Sequence, residues 1–148
     1  KSHLAQALGH EALRKGHDVL FVRTSAMLTN LHGGRADGTY DRRMLNYLRP
    51  EVLIMDDFGL KPMRPPGSED LYEIIDGRYQ RAATVITTNR AFSEWPELFD
   101  QPILASAAID RLAHGATQIT ITGDSFRNRG AKQKSVPAGG PNPAGKRS

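Results

Sequence analysis

The apolar run Val52-Leu53-Ile54-Met55 ends in two carboxylates, Asp56 and Asp57. A carboxylate pair leaving a buried strand can hold a magnesium ion and orient a water, because that ion takes a few protein oxygens and keeps its other places for water and phosphate. It can equally cap the next turn. A second apolar run ends in Thr87, Thr88 and Asn89. If the two strands are neighbours, these groups can hold a water or a γ-phosphate beside the aspartates; taken singly, each fits an ordinary strand-end cap. The chain opens on Lys1-Ser2, directly ahead of the Ala- and Leu-rich "HLAQALGHEALRKG". A phosphate loop of the form G-x-x-x-x-G-K-S/T needs a Lys reaching the β- and γ-phosphates and a hydroxyl on the magnesium ion, both at a helix start. Lys1 and Ser2 fit the second half of that pattern.

The elements that must carry these residues alternate along the chain. Leu4, Ala5, Leu8, Ala12 and Leu13 recur near helical spacing, which predicts a helix over 2–15 with Gly16 as its stop. "DVLFV", 18–22, and "EVLIM", 51–55, are nearly all apolar and predict strands covered on both faces. Between them, "TSAMLTNLH" gives way to the Gly- and Asp-containing "GGRADG", and a short helix through Met44, Leu45 and Leu48 is stopped by Pro50. Ser68 reads as an N-cap, with Glu69 and Asp70 in the first turn of the helix that follows. "TVIT", 84–87, predicts a third strand, 103–114 a helix, and the alternating "TQITIT", 117–122, a fourth strand at a sheet edge. Strands alternating with helices predict an α/β fold with a mainly parallel sheet flanked by helices, whose ligands gather at the carboxyl ends of the strands.

At 148 residues the chain has room for one core. The sequence holds no apolar run long enough to span a bilayer and no secretory leader, and these features predict a soluble, cytoplasmic protein. With no Cys there are no disulfides, no thiolate catalysis and no Cys-bearing zinc site. The five histidines, His3, His10, His17, His32 and His114, lack the spacing of a ligand set. Trp95 reads as a packing anchor rather than a stacking platform for a base. The formal charge of +4 is unevenly placed: residues 1–126 hold all 16 acidic residues and 14 of the 20 basic ones, a net of −2. From residue 128 on, a Gly- and Pro-rich basic tail offers too little apolar surface to offset its ordering entropy, so it is expected to be disordered. Such a tail can bind a polyanion or simply aid solubility.

The order and spacing of "KSHLAQALG", "ADGTYDRRMLNYLRPEVLIMDDFGL", "EDLYEIIDGRYQRAATVITTNRAFSEW" and "ILASAAIDRLAHGATQITITGDSFR" resemble the AAA+ ATPases, and more narrowly the IstB-like transposition helpers and the related DnaC-type helicase loaders. The resemblance runs from Lys1 to Arg127. It implies a P-loop NTPase sheet, ATP and Mg²⁺ as cofactors, and a partial AAA+ domain over 1–127 followed by the tail over 128–148. By it, Lys1 is the Walker A lysine, Ser2 the hydroxyl on Mg²⁺ and Asp56 the metal-holding carboxylate. Asp57 stands where most AAA+ proteins carry a Glu that polarises the attacking water. Asn89 fits the sensor that positions that water, and Thr88 beside it is expected to bind the nucleotide. Arg111 fits the arginine finger offered to a neighbouring subunit, or pairs with Asp110 or a carbonyl. Arg127 fits a second sensor, and Arg35, Arg42 and Arg43 either present charge to double-stranded DNA or form a solvated helix face.

The implied function is ATP-dependent assistance of DNA transposition: a homo-oligomer that assembles on DNA and activates or targets a transposase. A helicase loader, or a nucleotide-gated DNA-binding module without significant turnover, shares the same motifs. A receiver-like signalling domain would need a second Asp at the end of a later strand, where Thr-Thr-Asn stands instead. The resemblance also implies that the first strand of the sheet and the Walker A glycines lie upstream of residue 1. The 148 residues alone are therefore expected to fold poorly and to bind ATP weakly.

Overall fold

The structure, a computed structural model, describes residues 1–122. Two units divide the chain, Lys1–Thr117 and a second from Gln118 onward. In the first, the elements run α1 (Ser2–Arg14), β1 (Val19–Arg23), α2 (Thr24–Asp37), α3 (Tyr40–Leu48), β2 (Val52–Phe58), α4 (Gly67–Arg78), β3 (Ala83–Thr88), a 3₁₀ helix (Phe92–Leu98) and α5 (Pro102–Ala113). The strands form one parallel sheet in the order β1-β2-β3. Register pairs Val19 with Val52 and Val52 with Ala83, so the three strands start level and end on one side.

β2 lies between the other two strands and is the most buried. Its alternation sorts the layers: Leu53 and Met55 join Met27 and Leu31 of α2 and Leu71 and Ile74 of α4 in the main core. Ile54 points the other way, onto α1, where a Cβ added at Gly9 would stand 3.0 Å from its Cδ1. Gly9 costs the helix about 1 kcal/mol relative to Ala, and its bare face lets α1 approach the sheet closely. Trp95 is an anchor, as its sequence setting suggests. It is buried against Phe58 and Phe92, with ring centroids 4.7 and 4.9 Å away.

One unassigned stretch is settled and two local expectations change. "GGRADG" does not interrupt the chain: α2 runs through Gly33 and Gly34 and ends at Gly38, whose φ of +72° makes the left-handed cap. The Tyr40 Cα lies 3.0 Å from where a Gly34 Cβ would be, so the glycine serves helix packing. Ser68 is not an N-cap but the second residue of α4, fully buried, with its Oγ accepting the Asp100 N–H at 3.1 Å. Residues 117–122 form no strand, and Ile119 and Ile121 stay exposed. Alternation supplies a face, but a strand also needs a backbone partner. Among the described residues, no helix is long and apolar enough to cross a membrane.

Candidate functional site

The carboxyl ends of β2 and β3 and the amino end of α1 meet at one edge of the sheet. There the β2–β3 ladder breaks: Met55 pairs with Ile86 and Phe58 with Thr88, so Asp56 and Asp57 together face Thr87 alone. This is a β-bulge, a device that bends a strand and re-aims its side chains. Asp57 takes a φ of +55°, a region that non-glycine residues seldom occupy and in which Asp is among the better tolerated. The bulge leaves the Asp56 side chain buried and that of Asp57 part-exposed beside it.

Hydrogen bonds then fix the pair. Ser2 Oγ donates to Asp56 Oδ1 at 2.9 Å, and Thr87 Oγ1 donates to the same oxygen. Thr24 Oγ1, at the end of β1, donates to the Asp56 carbonyl at 3.1 Å. Thr88 Oγ1 donates to the Phe58 carbonyl at 2.8 Å, holding the strand beyond the bulge. Lys1 Nζ donates to the Thr88 carbonyl at 2.6 Å and to Asn89 Oδ1 at 3.0 Å. The structure thus brings together Lys1, Ser2, Asp56, Asp57, Thr88 and Asn89.

Charge at this edge is separated rather than neutralised. Asp56 is 4% exposed, and among the described residues neither it nor Lys1 enters an ion pair. A buried carboxylate without a cation is costly, since hydroxyl donors replace only part of its hydration. α1 has no acidic residue in its first turn, where the helix dipole favours one, and Lys1 adds a positive charge there. A bound anion at the helix start and a hard cation against Asp56 and Ser2 would offset both imbalances. The donor set therefore fits a phosphate group with a magnesium ion, an ion content with few protein oxygens. No cluster of three or more His, Asp or Glu suited to a metal ion occurs among the described residues.

Other sequence candidates lie elsewhere. Arg111 sits on α5, its Nε donating to Asp76 Oδ1 of α4 at 2.7 Å and its Nη1 to the Ala107 carbonyl at 3.0 Å. Its guanidinium lies 5.2 Å from the centre of the Tyr72 ring. Its carboxylate partner is thus Asp76, not Asp110. Arg35 is bound to Asp70 at 2.5 Å and stacks on Tyr40 at 4.1 Å. Arg43 is tied to Asp37 at 2.5 Å and to the Asn30 carbonyl at 2.7 Å. Arg42 is exposed and enters no ion pair among the described residues. Arg127 and the tail from 128 on lie outside the described residues. Sequence reasoning missed Thr24 and gave Thr87 no distinct role. The signal for Thr24 was available, since it directly follows a strand, the position that singled out Thr87 to Asn89.

Comparison with known proteins bears on the same residues. The model of the IstB-like ATP binding protein family matches residues 1–135. The chain belongs to this family. An insertion-sequence ATP-binding protein of Mycobacterium tuberculosis is 42% identical over 130 residues, covering 87% of this chain and 52% of that protein. The IS21 ATP-binding protein of Pseudomonas aeruginosa is 32% identical over 136 residues, covering 92% of this chain and 51% of that protein. The chain thus spans about half the length of the curated IstB-like relatives it matches. Among solved structures, a DNA replication initiation factor superposes with a TM-score of 0.69 at 19% identity, over 90% of this chain and 40% of that one. AMPPCP-bound DnaA of Aquifex aeolicus gives 0.64 at 18% identity, over 72% and 34%. The DnaC helicase loader gives 0.63 at 20% identity, over 76% and 67%. The fold of this IstB-like chain, a parallel α/β sheet flanked by helices, is therefore one it shares with these replication proteins.

Proposed function

We propose that this chain is the nucleotide-binding core of an insertion-sequence transposition helper, which binds ATP with Mg²⁺, assembles on double-stranded DNA and activates or targets a transposase. The observation that carries the nucleotide reading is the meeting of Lys1, Ser2 and Asp56 at one sheet edge, with a cation and a buried carboxylate that do not neutralise each other. Support for the transposition setting comes from relatives named as insertion-sequence ATP-binding proteins. The likeness to the DnaC helicase loader is one of fold, so the loader reading gains nothing from it.

Within this reading each residue has a task set by its chemistry. Lys1 and the first-turn amides of α1 hold phosphate oxygens by charge and hydrogen bonds. Ser2 and Asp56 hold the magnesium ion through their oxygens. Asp57, part-exposed and next along the bulge, accepts a proton from the attacking water, and Asn89 orients that water. Bound Mg²⁺–ATP supplies the transferable γ-phosphoryl group and a cation that offsets charge growing on it. Arg111 is offered to the nucleotide of a neighbouring subunit, which requires it to leave Asp76. Arg42 is the candidate of its group for phosphate contacts with DNA, because Arg35 and Arg43 are spent on carboxylates.

The test is titration of the chain with a fluorescent ATP analogue, with and without Mg²⁺, followed by turnover assays with double-stranded DNA present. Lys1→Ala should weaken binding at least about tenfold, the effect of losing one charge-assisted phosphate contact. Asp57→Asn should leave binding intact and abolish turnover. Binding that is indifferent to Mg²⁺ and to Lys1 would overturn the reading.

A further inference from the structure

We infer that Thr87 is a positioning residue that sets the two aspartates at once, an inference that rests on the site being a magnesium–nucleotide pocket. Its hydroxyl is the hinge of the bulge. Thr87 Oγ1 accepts the Asp57 backbone N–H at 3.1 Å and donates its own proton to Asp56 Oδ1. Accepting from one neighbour fixes which way the donated proton can point. The Asp56 carboxylate is therefore oriented by the same group that holds Asp57 in its left-handed conformation.

The geometry makes this arrangement necessary. In an unbroken ladder the Asp57 N–H would find its partner on β3, but two residues face one across the bulge, which leaves a backbone donor over. Thr87 is the residue opposite, and its side chain supplies the acceptor. The hydrogen bond of Ser2 to the same carboxylate oxygen fills a second lone-pair direction on Oδ1. No side chain donates to Asp56 Oδ2 among the described residues. Thr87 and Ser2 so turn the carboxylate that Oδ1 is held by the fold, while Oδ2 keeps its capacity for an ion. Asp57, in turn, has its backbone fixed next along the bulge, so its side chain starts from one set place beside Asp56. One hydroxyl thus orients the metal-holding carboxylate and anchors the backbone that carries the water-polarising one.

Two independent measurements test this in the full 148-residue chain. The first needs no ligand: urea unfolding of the parent, Thr87→Val, Asp56→Asn and the double variant forms a cycle. Direct coupling should make the effects non-additive by about tenfold in the folding equilibrium constant, the size expected for a hydrogen bond to a charged group. Should Thr87→Val fail to fold, Thr87→Ser and Thr87→Ala, which differ by the oxygen alone, carry the same cycle. The second is the Mg²⁺ dependence of ATP turnover. Thr87→Val should raise the Mg²⁺ concentration for half-maximal turnover about tenfold and lower kcat, with the KM for ATP within about twofold of the parent; Thr87→Ser should restore both. A general packing role would move neither the Mg²⁺ requirement nor the Ser rescue. Additive substitutions, or a Thr87→Val variant with the parent's Mg²⁺ profile, would overturn the inference. Turnover by the parent that is indifferent to Mg²⁺, while the cycle still shows coupling, would remove the pocket reading and keep the Thr87 clamp.

Discussion

The sheet holds a buried charge near each end, and the two are treated in opposite ways. At the amino ends of the strands, Arg78 is 1% exposed and, among the described residues, has no carboxylate partner. Its guanidinium donates to the carbonyls of Tyr47, Leu48, Pro50 and Ala83 and to Thr84 Oγ1. Two of those carbonyls close α3, where the helix dipole is negative, so the fold itself solvates the cation. Burial still pulls the Arg78 pKa below its ordinary value. At the carboxyl ends, Asp56 receives two side-chain hydroxyls and, among the described residues, no cation. The first charge is saturated by backbone that must be there for the chain to fold. The second is left with capacity to spare, and that spare capacity is what distinguishes a binding group from a structural one.

The largest expected effect breaks the saturated end. Arg78→Met should cost about 3 to 5 kcal/mol in urea unfolding, because it strands four carbonyls that join α3, β2 and β3. The folded fraction should bind nucleotide as the parent does. Asp56→Asn should do the reverse. Mg²⁺-dependent nucleotide affinity should fall about a hundredfold, near 2.7 kcal/mol, while the unfolding midpoint holds or rises, since an unpaired buried charge has gone. Equal loss of stability at both ends would erase the contrast.

Asp70 sharpens it. This carboxylate is buried like Asp56, but it has Arg35 at 2.5 Å and the Tyr40 hydroxyl at 2.7 Å. Burial and the neighbouring Asp70 push the Tyr40 hydroxyl well above its ordinary pKa. Asp70→Asn should cost about 2 kcal/mol, less than a fully buried pair because Arg35 is partly exposed, and should leave nucleotide affinity alone. The smallest effect is at Glu51, near the amino ends. The Asp18 N–H and then His17 hold its carboxylate below the ordinary value of 4.5. A depressed folded pKa means stability that is complete above 4.5 and is lost as pH falls through the folded value. In an acid titration of stability, Glu51→Gln should remove a small step below that pH and change nothing at neutrality.

Much of the fold was legible because its signals are local. The helix over 2–15, the first apolar strand and the 103–114 helix each appear within one residue of their predicted bounds, while the second apolar strand runs three residues further than predicted, through both aspartates to Phe58. Errors arose where packing overrode propensity. Gly33 and Gly34, left without an assignment in the sequence, lie inside a helix, and a side chain at Gly34 would collide with the Tyr40 backbone. Ser68 reads as a cap and is instead buried to receive the Asp100 amide. At the site, Lys1, Ser2, Asp56 and Asn89 were legible as residue types at strand ends and a helix start. Arg35 and Arg43 show the opposite limit, since a basic residue in a sequence does not reveal whether a carboxylate will reach it.

Sequence by itself determined the alternation of strands and helices, and with it a parallel sheet whose strand ends carry the polar groups, because hydrophobic periodicity and crossover handedness act over short stretches of chain. Only the tertiary structure decided that Asp56 and Asp57 share a bulge opposite Thr87, that Lys1 meets Asn89 rather than a carboxylate, and that Arg111 rests on Asp76. These are pairings between residues 30 to 88 positions apart. No local preference encodes them, because the partner of a charged or hydrogen-bonding group is whatever the packed layers bring within about 3 Å.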